Sequence, residues 1–294
     1  MISKSIVHIA FLGPKGSYSH IAAMQYAANR SFDQVIEHSC QKFNDIFTLV
    51  EYHQAEYGVV PIENSNSGLI DEICDLLLNT QLVLVDEITI PIKHCILVKN
   101  HTDINQIQII YSHPQPAQQC SKFLKNFSTW KIIFCKSSAV AMKIVATLKQ
   151  SNLAALGSIQ GGTLYGLHSL LTYNLSNSHK NETKFIILKN KNIEVLSNSI
   201  PIIKTILIIS INQRSEKLYE VLKILQFYNI QTNYLRPRLS LDNKSKGIII
   251  IEMMAHINDT YIHQILKELQ KISHSLKILG CYQPTPIKIS SSRN

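Results

Sequence analysis

The chain has 294 residues, 45% of them hydrophobic, enough to bury a substantial core and to form two domains. Its 29 Lys and Arg exceed 20 Asp and Glu, a net charge of +9, but the lysines are dispersed without a basic helix or aromatic-basic platform, which argues against a nucleic-acid partner. No run approaches the roughly 20 apolar residues that span a bilayer, and the apolar run at 6–12 is too brief for a signal peptide, so a cytoplasmic protein without membrane association is expected.

From the N-terminus, 7–12 reads as a strand, and Phe43, Ile46, Phe47 and Val50 fall on one face of a helix. A short strand at 58–62 precedes a second helical stripe, Ile70, Ile73, Cys74 and Leu77. Strands follow at 95–98 and 107–111, and then a helical face of Cys120, Phe123, Leu124 and Phe127, with Pro116 in the first turn. A strand at 132–135, a helix through Ala141, Ile144, Val145 and Leu148, and strands at 153–156 and 185–188 complete this half. The alternation predicts an α/β fold with largely parallel sheets.

The polar, aperiodic stretch 190–201 is read as a linker between a first domain at 6–189 and a second at 202–283. The second part predicts a strand at 204–210, a helix through Leu218, Val221, Leu222, Leu225 and Tyr228, strands at 231–239 and 247–255, a helix through Ile262 to Ile272, and a strand at 276–282. That order is βαββαβ, the ferredoxin-like arrangement.

Six cysteines, Cys40, Cys74, Cys95, Cys120, Cys135 and Cys281, lack a paired or zinc-like spacing, so buried reduced thiols and no metal are expected. His20, His94, His113 and His168 are too widely spaced for a metal and are assigned capped or surface positions. The segment Gly13-Pro14-Lys15-Gly16-Ser17 fails the spacing of a phosphate loop, and no Gly-x-Ser-x-Gly elbow supplies a hydrolase nucleophile. Hydroxyl and glycine clusters at 13–19, 64–68, 112–116 and 137–138 precede helical stretches; together they would suit a multiply anionic ligand, and singly each is an ordinary cap.

Five ordered motifs carry a family resemblance: Phe11 through Ser19; Val60-Pro61-Ile62-Glu63-Asn64-Ser65 with Ser67-Gly68; Ser112-His113-Pro114-Gln115-Pro116 with Gln118-Gln119-Cys120; Ala154-Ala155-Leu156-Gly157; and Gly161 through Leu167. Over about 6–282 the chain resembles the prephenate dehydratases, in particular the dehydratase part of the bifunctional chorismate mutase/prephenate dehydratases. No helical mutase segment precedes Ile6, so mutase activity is not expected.

The resemblance implies a two-lobed catalytic domain with a cleft, like periplasmic binding proteins, followed by an ACT domain. It implies conversion of prephenate to phenylpyruvate, a carbon-oxygen lyase reaction without cofactor, in phenylalanine biosynthesis. The segment Asn181-Glu182-Thr183-Lys184-Phe185 is implied as the chemical centre, with Thr183 as the catalytic donor and Glu63, Asn64, Ser65, Ser112, Gln119, Lys184 and Phe185 at the substrate. Lys184 stands where the family has arginine, which keeps the charge and loses the planar fork that matches a carboxylate. In the ACT part, Glu216, Lys217 and Leu218 replace the usual Gly-Ala-Leu, and Arg236 and Pro237 are what remains of Glu-Ser-Arg-Pro. Weak or absent control by L-phenylalanine is therefore expected, in a homodimer or homotetramer. A non-catalytic amino-acid sensor, an arogenate dehydratase and a solute-binding protein are the competing readings.

Overall fold

The computed structural model describes residues 6–100, 102–148, 150–171, 174–178, 180–190, 203–212, 215–239 and 246–284. The expected linker thus lies outside the described residues except for Asn190.

The chain opens with β1 (Ile6–Leu12), α1 (Tyr18–Asn29), β2 (Gln34–Cys40), α2 (Phe43–Glu51), β3 (Tyr57–Asn64), β4 (Gly68–Leu69), α3 (Asp71–Asn79) and β5 (Val83–Pro91). The order β2-β1-β3-β11-β5, with β4 beside β3 and β11 at Glu182–Lys189, forms the first sheet, in which β1 and β2 run parallel from Ile6↔Gln34 to Leu12↔Cys40. The cluster at 13–19 is the only sign of α1 in the sequence, whose apolar periodicity is weak because small residues, Ala22, Ala23 and Ala27, form much of its buried face. Periodicity does not mark β5, because a fully buried Asp86 interrupts its apolar alternation.

The second sheet has the order β10-β6-β9-β7-β8, from β6 (Cys95–Val98), β7 (Ile109–Ser112), β8 (Lys131–Phe134), β9 (Leu153–Gly157) and β10 (His168–Ser169). It is parallel where β7 meets β8 and β9, and antiparallel where β6 meets β9 and β10, so the expectation of largely parallel sheets holds for only part of it. Ile96 and Val98 enter one core with Ala154 and Leu156, whereas Cys95 and Leu97 enter the other with Leu153 and Ala155. Burial on both faces is why these strands are unbroken apolar runs. Helices α4 (Pro114–Gln119), α5 (Ser121–Leu124), α6 (Ser138–Leu148) and α7 (Ile159–Leu164) accompany this sheet.

The single helical face expected at Cys120 to Phe127 is instead split at Cys120. Asn177 Oδ1 accepts the Lys122 N–H at 3.1 Å, and its Nδ2 donates to the Gln118 carbonyl at 3.2 Å. In an uninterrupted helix that N–H and that carbonyl would bond each other, so the inserted side chain breaks the ladder there. The Asn177 N–H also donates to the Gln119 carbonyl at 2.6 Å.

The third sheet joins β12 (Lys204–Asn212), β13 (Thr232–Leu239), β14 (Lys246–Met253) and β15 (Ser275–Tyr282) in the order β13-β14-β12-β15, all antiparallel. With α8 (Ser215–Phe227) and α9 (Thr260–Ile272) this is the βαββαβ ferredoxin-like topology. Leu207, Ile209 and Ile211 pack with Ile249, Ile251 and Met253 against Val221, Leu225, Ile262, Ile265 and Leu269 of the helices.

Contacts divide the chain into two compact units: Met1–Ile46, Val59–Gly68 and Thr89–Phe185; and Phe47–Gly58, Leu69–Ile88 and Ile186–Asn294. Segments 69–88 join the C-terminal sheet for identifiable reasons. Lys277 Nζ donates to the Leu77 and Thr80 carbonyls, and Lys204 Nζ lies 2.7 Å from both Glu87 and Glu252. Gly280 approaches the Leu84 backbone so closely that a Cβ would collide with its carbonyl. Among the described residues, no helix is long and apolar enough to cross a membrane.

Candidate active site

Asn64 closes β3, and the turn after it orients its side chain. Asn64 Oδ1 accepts the backbone N–H of Asn66 at 3.0 Å and of Ser67 at 3.2 Å, with the Ser67 hydroxyl at 3.3 Å. Backbone N–H groups can only donate, so Oδ1 faces the turn and Nδ2 must be the donor on the other side. Nδ2 reaches Thr183 Oγ1 at 2.9 Å, Asn181 Oδ1 at 2.9 Å and the Glu182 carbonyl at 3.1 Å. Asn64 and Thr183, each 8% exposed, are thus joined in a largely dry setting.

The contacts continue beyond this pair. Asn181 Nδ2 donates to Gln119 Oε1 at 3.2 Å, and His94 Nε2 lies 2.8 Å from the same oxygen. The Asn181 carbonyl accepts the Ile92 N–H at 2.8 Å, which fixes the approach to β11. His94, 1% exposed, sits edge-on to the ring of Tyr18, the first residue of α1, whose hydroxyl donates to the Lys93 carbonyl at 2.7 Å. Burial pushes the His94 imidazole below its ordinary value, against a smaller upward influence of Gln119. Side chains from four separate segments therefore meet in one polar cluster.

The family model for prephenate dehydratase matches residues 9–193. The bifunctional chorismate mutase/prephenate dehydratase of Escherichia coli (strain K12) is 46% identical over 281 residues, covering 96% of this chain and 72% of that protein. The chain belongs to the prephenate dehydratase family. Among solved structures, GqqA, a quorum-quenching acylase, aligns with a TM-score of 0.80 at 24% identity over 95% of this chain and 98% of that one. The prephenate dehydratase of Arthrobacter aurescens in complex with L-Phe aligns with a TM-score of 0.78 at 21% identity, over 94% and 89%. At these identities the two structures speak for a shared fold.

Of the residues that the family resemblance singled out, Asn64, Gln119 and Thr183 come together. The strand pleat separates others from them, because successive side chains in a strand point to opposite faces. Lys184 thus lies on the face of β11 opposite Thr183, and Glu63 on the face of β3 opposite Asn64. Phe185 shares the Thr183 face but is 1% exposed and packed in the interior. Ser65 ties β3 to the start of β11: its hydroxyl donates to the Lys180 carbonyl at 2.9 Å and accepts the Glu182 N–H at 3.0 Å. Ser112 is fully buried at the end of β7 and donates to the His113 carbonyl at 2.8 Å.

The capped or surface assignment holds for His113, which caps α4, and for the exposed His168. It fails for His20 and His94, which are buried. His20 Nδ1 accepts the Gly16 N–H at 3.2 Å, and its Nε2 meets Glu37 at 3.1 Å, where Lys15 also pairs at 2.9 Å. Asn181 lies within the expected segment 181–185, without a role assigned to it there, and joins the cluster through its side chain. His94 is the member that sequence reasoning did not place at the site; its only signal was its position just ahead of β6.

In the C-terminal sheet, Glu216, Lys217 and Leu218 occupy the first turn of α8, where Lys217 pairs with Glu220 at 2.7 Å and Leu218 packs on the core. Arg236 and Pro237 lie in β13, an edge strand, where a proline costs no ladder bond on its open side; the Arg236 side chain is outside the described residues. Among the described residues no group of three His, Cys, Asp or Glu is arranged to hold a metal ion.

Proposed function

We propose that the chain converts prephenate to phenylpyruvate, carbon dioxide and water, with Thr183 donating a hydrogen bond to the departing hydroxyl. The carbon–carbon bond to the ring carboxylate breaks as carbon dioxide leaves, its electron pair enters the ring, and the ring carbon–oxygen bond breaks as the ring becomes aromatic. The hydroxyl leaves as hydroxide and is completed to water by a proton drawn ultimately from solvent. A threonine hydroxyl is too weak an acid to supply that proton freely, so its part is to stabilise the leaving oxygen while the site orients the substrate.

The contact between Asn64 and Thr183 carries this reading. Because the Asn64 amide occupies a lone pair on Thr183 Oγ1, the hydroxyl proton is left for another acceptor. Gln119 and Asn181 supply further amide groups beside it. Lys184, on the other face of β11, is read as remote from the reacting atoms, so the exchange of arginine for lysine is tolerated.

Residues 202–283 are read as an ACT-type effector module, supported by the βαββαβ order and by an L-Phe complex of a similarly folded dehydratase. A glutamate at 216 in place of glycine crowds a backbone approach to ligand, which weakens the phenylalanine response. Pairing of such modules makes a homodimer or homotetramer the proposed state.

The test is turnover of prephenate and of arogenate by wild type and Lys184→Arg. Prephenate turnover within about threefold in the two proteins is expected, a spread of about 0.65 kcal/mol. Preference for arogenate would change the substrate, and no product from either would remove the enzyme reading.

A further inference from the structure

The amide orientation fixed at Asn64 propagates through the cluster. Asn64 Nδ2 donates to Asn181 Oδ1, so the other end of the Asn181 amide is its donor, directed at Gln119. Gln119 Oε1 is therefore an acceptor, and the nitrogen facing it from His94 at 2.8 Å must carry a hydrogen. In a neutral ring this leaves His94 Nδ1 bare. Nδ1 is buried and has no hydrogen-bond partner among the described residues, an arrangement far less costly for a lone pair than for a charged N–H.

We propose that His94 is a positioning residue: as the neutral Nε2–H tautomer it holds the Gln119 oxygen inward and turns the Gln119 –NH₂ outward, as a donor to a carboxylate of the substrate. This rests on the dehydratase reading above. His94 is itself braced. Its backbone N–H donates to Asn174 Oδ1 at 3.1 Å and its backbone carbonyl accepts the Leu175 N–H at 3.0 Å, while Tyr18 covers the ring. Without the Nε2–H, Asn181 alone would hold Gln119 Oε1, and the amide could reverse to present its oxygen to the substrate. An oxygen facing a carboxylate repels it, so the loss falls on substrate capture.

Two measurements test the proposal. In the full-length, ¹⁵N-histidine-labelled protein at neutral pH, the His94 ring, assigned by its disappearance in His94→Gln, should show a protonated Nε2 and a bare Nδ1. A charged ring or an Nδ1–H tautomer would overturn the proposal. In kinetics, His94→Gln places an amide donor near the Nε2 position, whereas His94→Asn places one near Nδ1 and His94→Leu offers none. The expected result is a KM for prephenate close to wild type in His94→Gln, and raised roughly 10- to 100-fold in the other two, with a smaller change in kcat. A purely structural role would not separate Gln from Asn in this way. Equal KM values for folded Gln and Asn variants, or a wild-type KM in folded His94→Leu, would overturn it. A wild-type chain without prephenate turnover would remove the dehydratase reading instead, and the tautomer would still decide the orientation.

Discussion

Asn64 donates its amide to Thr183 Oγ1 across 2.9 Å, although 119 residues separate them in the chain. The donor end of Asn64 is dictated by two backbone N–H groups of its own turn, so the direction of this bond is built into the fold. In Asn64→Asp the carboxylate can still accept from the turn but has nothing to donate, and the Thr183 proton is drawn toward it. The expected loss in kcat is about 10- to 100-fold in the wild-type background, with little additional loss when Asn64→Asp is added to Thr183→Ala. Additive losses in that double-mutant cycle would show that the two residues act separately.

Asn177 governs Gln119 from outside the cluster. In Asn177→Ala, the Lys122 N–H and the Gln118 carbonyl are free to bond each other and to join α4 to α5. The hydrogen bonds exchange nearly evenly, so stability should change by only about 1 kcal/mol. Activity should fall more, roughly tenfold, because the kink that sets the Gln119 backbone is lost. Thermal melts and kcat/KM on the same sample check this; a large stability loss with full activity in the surviving folded protein would refute it.

Lys204 is shared by two carboxylates, buried Glu252 and half-buried Glu87, with side chains 5% and 12% exposed. Burial alone would lower its pKa, but the hydrogen bonds and charges of Glu252 and Glu87 outweigh burial and raise it. Lys204→Met removes the cation that both carboxylates share, at a cost of about 3–5 kcal/mol. Denaturant unfolding measures this directly, and a change below about 1 kcal/mol would mean that the carboxylates find other neutralisation.

Burial pushes His94 and His20 below histidine's ordinary value, and at His20 the Glu37 carboxylate opposes the shift without cancelling it. As pH falls through about 6.5, the unfolded chain binds protons that the folded chain resists, so stability declines toward acid until the depressed native values are reached. The melting temperature should therefore fall between about pH 7 and 5, and His94→Gln, with one titrating group fewer, should show a shallower slope. An unchanged slope would mean that His94 titrates alike in both states.

Apolar periodicity made most helices and strands legible, including the whole βαββαβ order, because each such element buries one face or one run of side chains. It failed where burial rests on alanine, as in α1, or where a polar residue is buried, as at Asp86 in β5. The break at Cys120 was invisible because its cause, Asn177, lies more than fifty residues away. At the site, motif resemblance pointed to Asn64, Gln119 and Thr183 together. His94 was passed over, since a lone histidine carries no periodic or spacing signal and its partner is 25 residues distant. Lys184 is next to Thr183 in the sequence, but the pleat of β11 puts the two on opposite faces.

The proposed role of Thr183 in the departure of the hydroxyl from prephenate is tested most directly by following phenylpyruvate formation by wild type and Thr183→Ala, with folding of both verified by circular dichroism. Turnover by wild type and a loss of roughly 10²- to 10³-fold in kcat on removing the hydroxyl are expected. A folded Thr183→Ala protein that turns over prephenate at the wild-type rate would contradict it.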